Sequence, residues 1–228
     1  MDRTGLDSPH PVVSDFNNVS RSYPMIHFTE LQLDALSELF NIGVGRAASS
    51  LSQIVKDDVQ LSAPSISLRP AAEVAHSLLG AEFRKFSMVS LAFSGPFEAK
   101  SMLVFPERNA LAIIANMLEE SLSPEDLVEF EQEAMCEVGN IILNACISAL
   151  ADLFEVEFHG GLPTHHYSDG TFIASFSGDR NDMVLILEID LTVAQQRVEG
   201  DLLFLLGVNS LANLMTHLDH FLAKQGML

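Results

Sequence analysis

Basic residues are scarce in this chain: 12 Lys and Arg stand against 31 Asp and Glu, a formal net charge of -19 over 228 residues. Nucleic-acid backbones are bound by clustered Lys and Arg, so nucleic acid is excluded as a partner. An anionic membrane surface is disfavoured for the same reason. No uninterrupted apolar stretch reaches the length of a bilayer span. Residues 1–25 lack an apolar signal core and read as a flexible polar leader. Cysteine is nearly absent too. Cys136 and Cys146 lie ten residues apart on one predicted helix, turned to different faces, so no bridge is expected and a reducing, cytoplasmic compartment fits. G-x-S-x-G does not occur, which removes a serine-hydrolase elbow.

What is present is apolar and periodic. Apolar residues make up 48% of the chain, enough for a well-buried core. From Phe28, Leu33, Leu36, Phe40, Val44, Ala47, Leu51 and Ile54 recur at three- and four-residue steps, predicting a helix over about 29–55 with Thr29 as N-cap. Runs at 65–68, 88–93 and 100–105 read as strands, the last two joined by a turn at Ser94-Gly95-Pro96. A short helix is expected at 109–118. A second long helix over about 125–154 starts at Ser123-Pro124, with Met135, Val138, Ile142, Cys146, Leu150 and Leu153 turned inward. Strands at 172–176, 183–190 and 201–206 and a helix at 209–224 complete the chain.

That order occurs twice because the sequence repeats. A shift of 99 residues aligns Glu38 with Glu137, Asn41 with Asn140, Leu51 with Leu150 and Pro64 with Pro163. A shift of 100 aligns Leu103 with Leu203, Asn109 with Asn209 and Leu118 with Leu218. Two repeats do not make a solenoid. The expectation is an α+β (α/β) domain over 26–228, with repeats at 27–120 and 124–224. Two long helices then pack on one shared, largely antiparallel sheet.

Most matched helix positions are apolar or small, as a shared core requires. The polar matches are different. Asp34, Glu38 and Asn41 fall on one helical stripe that continues through Gly45, Ala48, Ser49 and Ser52. Glu133, Glu137, Asn140, Asn144, Ser148 and Ala151 repeat it. Acids on one such stripe would normally mean only a solvated face. Asn, however, is a mediocre mid-helix residue, and here Glu-x-x-Asn recurs in both halves with a Pro 23 residues after each Asn.

This pattern resembles the CheC/CheX/FliY phosphatases, whose motif is D/S-x3-E-x2-N followed by 22 residues and P. Asp34, Glu38, Asn41 and Pro64 match throughout. Glu133, Glu137, Asn140 and Pro163 match except at the first position, where Glu replaces Asp or Ser. The resemblance implies a protein phosphoaspartate phosphatase, a hydrolase acting on a phosphorylated CheY-like receiver in chemotaxis or two-component signalling. By the same resemblance, Asn41 and Asn140 position the attacking water, while Glu38 and Glu137 pair with the receiver's Lys. The receiver supplies Mg2+, and this chain binds no cofactor or metal. The chemistry is consistent: an acyl phosphate is already activated, so a correctly placed water suffices. Pro64 and Pro163 read as structural, fixing the backbone where it enters the sheet.

A second reading is a catalytically weak adaptor that binds a phosphorylated receiver or a CheD-like partner. A third, a flagellar-switch component, would call for a further C-terminal domain beyond Leu228. Gly43-Val44-Gly45-Arg46-Ala47-Ala48 fits a dinucleotide fingerprint, but it lies inside a helix; its glycines are read as allowing close approach. His159, His165 and His166 read as solvent-facing loop residues, and His217 and His220 as helix-end residues.

Overall fold

The computed structural model describes residues 27–55, 57–71, 73–74, 85–110, 113, 124–168, 182–193 and 196–228. The expected polar leader and the strand expected at 172–176 lie outside them, as does Ser123. Helix α1 spans Glu30–Val55, followed by strands β1 (Val59–Pro70), β2 (Phe86–Ser94) and β3 (Ala99–Pro106). Helix α2 (Pro124–Phe154), strands β4 (His159–Gly160), β5 (Thr164–Ser168), β6 (Met183–Val193) and β7 (Gln196–Leu206), and helix α3 (Val208–Lys224) follow. Of the expected 109–118 helix, residues 109, 110 and 113 are described, and they are helical.

Thr29 caps α1 as expected, and the cap is reciprocal. The Gln32 N–H donates to Thr29 Oγ1 at 3.2 Å, and the Thr29 N–H donates to Gln32 Oε1 at 2.8 Å. This capping box satisfies two donors that the first helical turn leaves without partners. Gln32 is buried, and its amide also donates to Asp219 Oδ1 at 2.6 Å, tying the start of α1 to α3. The inward face of α1 is Leu36, Phe40, Val44, Ala47 and Leu51, and Val55 closes it. Ile54, expected inward, is 41% exposed. It sits in the last turn, where Val55 takes the core position.

The sheet has the order β1-β6-β7-β3-β2-β4, with β5 also paired to β2, and every pairing is antiparallel. Exchanging each strand for its counterpart in the other half (β1 for β5, β2 for β6, β3 for β7) reproduces that order reversed. This is the pseudo-two-fold that the repeat predicts. β3 and β7 meet at its centre, and the first strand of each half pairs with the middle strand of the other. Leu103, Phe105, Leu187, Ile189, Leu202 and Phe204 line the sheet face under the helices.

α1 and α2 pack side by side on that face. Their contact is close because of Gly43: a Cβ there would lie 3.0 Å from Cys146 Cα and 3.3 Å from Ala145 O. The close-approach role therefore holds for Gly43. It does not hold for Gly45, around which a Cβ would meet nothing within 4 Å. Residues 130–154 of α2 are long and apolar enough to cross a membrane by length and composition alone, although the sequence showed no uninterrupted apolar run. The reason is burial: Met135, Val138, Ile142, Leu143 and Cys146 are fully enclosed between α1 and the sheet. Burial also pushes the Cys146 thiol up to about 12, and both cysteines are free.

On the opposite face of the sheet, Asp201 of β7 stands directly across from Glu188 of β6. Burial, and secondarily the Glu188 charge, raises its carboxyl from 3.8 to about 6. A raised acid favours the folded state only while protonated. Its contribution is complete below pH 3.8 and is lost as pH climbs through about 6. At neutral pH the charged form costs at most about 3 kcal/mol. Asp201→Asn should therefore raise the urea-unfolding free energy by about 1–2 kcal/mol at pH 7.5 and change it little at pH 4. Equal gains at both pH values would show that charge is not the cause.

Candidate functional site

Both Glu-x-x-Asn stripes stay accessible. Asp34, Glu38 and Asn41 are exposed on α1; Glu133 and Glu137 are exposed on α2, and Asn140 is half-buried. Of the small residues continuing the stripes, Gly45, Ser49 and Ser148 are exposed, whereas Ala48 is buried. The two helices carrying the motifs are also joined at their outer edge, where Arg46 Nη1 meets Asp152 Oδ2 at 2.6 Å. Both of those side chains are at least half exposed, so the pair contributes about 0–1 kcal/mol.

The spacing from Asn41 to Pro64 has a structural explanation. β1 and β6 change register between Ser62 and Ser65, a bulge that holds Ala63 and Pro64. Pro64 has no N–H to give the ladder. The N–H of Ala63, displaced by the bulge, donates instead to Asn41 Oδ1 at 3.3 Å. An amide facing an N–H must present oxygen, so the orientation of Asn41 follows from the backbone.

The second half solves the same problem differently. The counterpart of Ala63-Pro64 is Leu162-Pro163, which lies in the break between β4 and β5. Leu162 is 88% exposed, and the Cys136 thiol approaches Pro163 O at 4.0 Å. Asn140 is held from within its own helix: Asn144 Nδ2 donates to Asn140 Oδ1 at 2.7 Å and to the Asn140 backbone O at 2.8 Å.

The reading of His165 and His166 as loop residues is wrong. Both lie on β5, paired with β2, with their side chains on opposite faces of the sheet. His165 Nε2 lies 2.8 Å from Ser87 Oγ, and His166 Nε2 lies 2.9 Å from Ser90 Oγ. Burial lowers the pKa of both imidazoles, with His166 adding to the effect on His165. Above His165, Glu131 of α2 is buried, its Oε1 without a hydrogen-bond partner and 3.9 Å from His165 Nε2. Burial raises its carboxyl, and the Ser87 hydroxyl partly opposes that. Although Ser, His and Glu meet here, Ser87 is fully buried and both contacts fall on one imidazole nitrogen. The group braces β5 against β2 and α2; it is not a nucleophilic triad. His159 is exposed on β4, and His217 stacks on Phe154 at 5.5 Å rather than only ending a helix. Among the described residues no three His, Cys, Asp or Glu side chains are grouped to hold a metal ion.

Two accessible, duplicated Glu–Asn pairs thus stand on adjoining helices above one antiparallel sheet. A family profile described as the CheC-like family matches residues 31–68, which include Asp34, Glu38, Asn41 and Pro64. The CheY-P phosphatase CheC of Bacillus subtilis (strain 168) is 28% identical over 137 residues, covering 59% of this chain and 65% of the relative. The flagellar motor switch phosphatase FliY of the same organism is 20% identical over 157 residues, covering 68% of this chain and 38% of that protein. The matches thus span less than two thirds of either relative. Among solved structures, the crystal structure of Thermotoga maritima FliY superposes with a TM-score of 0.71 at 16% identity, covering 86% of this chain and all of that one. The chain therefore resembles the CheC and FliY group in both sequence and fold.

Proposed function

We propose that this chain is a protein phosphoaspartate phosphatase that hydrolyses the acyl phosphate of a CheY-like receiver. The observation that carries the reading is the pair of equivalent, accessible Glu-x-x-Asn stripes, together with sequence similarity to two proteins named as phosphatases. Each Asn amide oxygen already accepts one internal hydrogen bond, and its second lone pair is left for a water. The Nδ2 hydrogens of Asn41, and of Asn140, donate to a phosphoryl oxygen. An amide held in this way places water in line with phosphorus without acting as a base, which a loose phosphoryl-transfer transition state scarcely requires.

Glu38 and Glu137 stand one helical turn before each Asn and pair with the receiver's Lys, a contact worth about 1.5–3 kcal/mol if desolvated. The receiver brings its own Mg2+, and the reaction takes place in the cytoplasm. A CheD-like protein remains a candidate second partner. Because both partners are acidic, recognition rests on these local pairs rather than on long-range attraction.

The test is the half-life of phosphoaspartate on a receiver charged by a small-molecule phosphodonor, measured with and without this protein. A several-fold shorter half-life is expected. Glu38→Lys and Glu137→Lys should weaken receiver binding by placing like charges together. An unchanged half-life across candidate receivers would remove the hydrolase reading.

A further inference from the structure

We propose that Asn144 is a positioning residue for the second site, holding the Asn140 amide in the orientation that the Ala63 N–H imposes on Asn41. The inference rests on the phosphatase reading for its catalytic consequence, but its structural content stands apart from it.

The argument starts from donors. At the first site the donor is a backbone N–H released by a bulge. The equivalent donor would be Leu162 N–H, but the strand is interrupted there between β4 and β5. Among the described contacts, Asn140 Oδ1 receives its hydrogen bond from Asn144 Nδ2 at 2.7 Å. The orientation of both amides follows from one backbone atom. Asn140 O can only accept, so the group 2.8 Å from it must be the NH2 of Asn144. That NH2 has a second hydrogen, and the side-chain atom of Asn140 that takes it must be oxygen.

Space has been left for this contact. Asn144 Oδ1 lies 3.3 Å from where a Cβ on Gly160 would stand, so a side chain at 160 would press on it. In the first half the position of Asn144 is occupied by Gly45, which has no side chain to donate. Each half therefore has one internal donor for its Asn oxygen, from a different source. An amide without that donor turns about its terminal bond and exchanges oxygen for nitrogen at the place where water must sit. Misplacement on this scale costs about 10-fold or more in turnover while leaving affinity to the Glu anchor.

The experiment uses the full chain carrying Asn41→Ala, so that dephosphorylation reports the second site alone. Asn144→Asp keeps the shape and removes the donor; Asn144→Ala removes the whole group. Both should lower kcat about 10-fold with KM for the phosphorylated receiver within about two-fold. A second readout is free of catalysis: the order parameter of the Asn140 side-chain NH2 from 15N relaxation. It should be high in the parent chain and fall in Asn144→Ala, whereas in Asn144→Asp the turned amide donates to the new carboxylate and stays held. An order parameter unchanged by Asn144→Ala overturns the proposal, whether or not any receiver is dephosphorylated. A looser amide with undiminished kcat overturns its catalytic half. If the parent protein shortens no receiver's phosphoaspartate half-life, the phosphatase reading fails, and the relaxation result still decides the role of Asn144.

Discussion

Replacing both Asn41 and Asn140 with Ala is expected to abolish receiver dephosphorylation, returning phosphoaspartate decay to the receiver's own rate. Each single substitution should leave one working site. Binding should largely persist in the double variant, because Glu38 and Glu137 are untouched. The two single variants should differ in stability. Asn41→Ala leaves the N–H of Ala63 without its acceptor, and Ala63 is 5% exposed, so about 1–3 kcal/mol is lost. Asn140→Ala removes one acceptor from Asn144, a half-buried side chain that still donates to the backbone O of residue 140, and should cost less. Stopped-flow dephosphorylation with thermal melts of the same samples would separate these effects. Full activity in the double variant would rule out Asn41 and Asn140 as the groups that place the attacking water.

Gly43→Leu should destabilise the fold by about 3 kcal/mol or more and weaken both sites together. The nearest atoms to a new Cβ are the Cα and carbonyl of the facing helix, at 3.0 and 3.3 Å, and backbone cannot rotate away as a side chain can. The helices must separate, and with them the two stripes they carry. Gly45→Ala, two residues away, is the contrasting case. Its Cβ enters open space on an exposed helical face. It should stabilise by about 0.5–1 kcal/mol, through the usual gain of Ala over Gly in a helix. Equal effects at the two positions in urea titrations would show that the interhelical contact is not what Gly43 provides.

The long helices were legible in the sequence because a 3.6-residue period over seven turns is hard to imitate, and Thr29 and Pro124 mark their starts. The symmetric sheet was legible because the repeat was. β4 and β5 were not. His159–Ser168 carries no apolar alternation; β5 is held by Ser87–His165 and Ser90–His166 contacts and by main-chain pairing to β2, all depending on residues far away in the chain. Of the site, the stripe and its exposure could be read directly. The bond from Ala63 to Asn41 could not, since it depends on where a bulge falls. Asn144 was visible only as one more polar residue on the stripe; its donation to Asn140 needs coordinates. Ile54 fits the inward period yet faces out, because period alone does not say where the last turn of a helix leaves the core.

The crossed strand pairing has a consequence for how such a chain could arise and fold. β1 lies against β6 and β5 against β2, so neither half contains all the neighbours its own strands need. A polypeptide bearing one half would find the missing strands on a second copy of itself, giving a symmetric dimer with one site per subunit. In the fused chain Val59 must wait for Val193, so the amino-terminal half leaves the ribosome with strand edges that only later-made residues can cover. Two halves in one chain also need not stay identical: here one takes the donor for its Asn from the backbone and the other from a side chain.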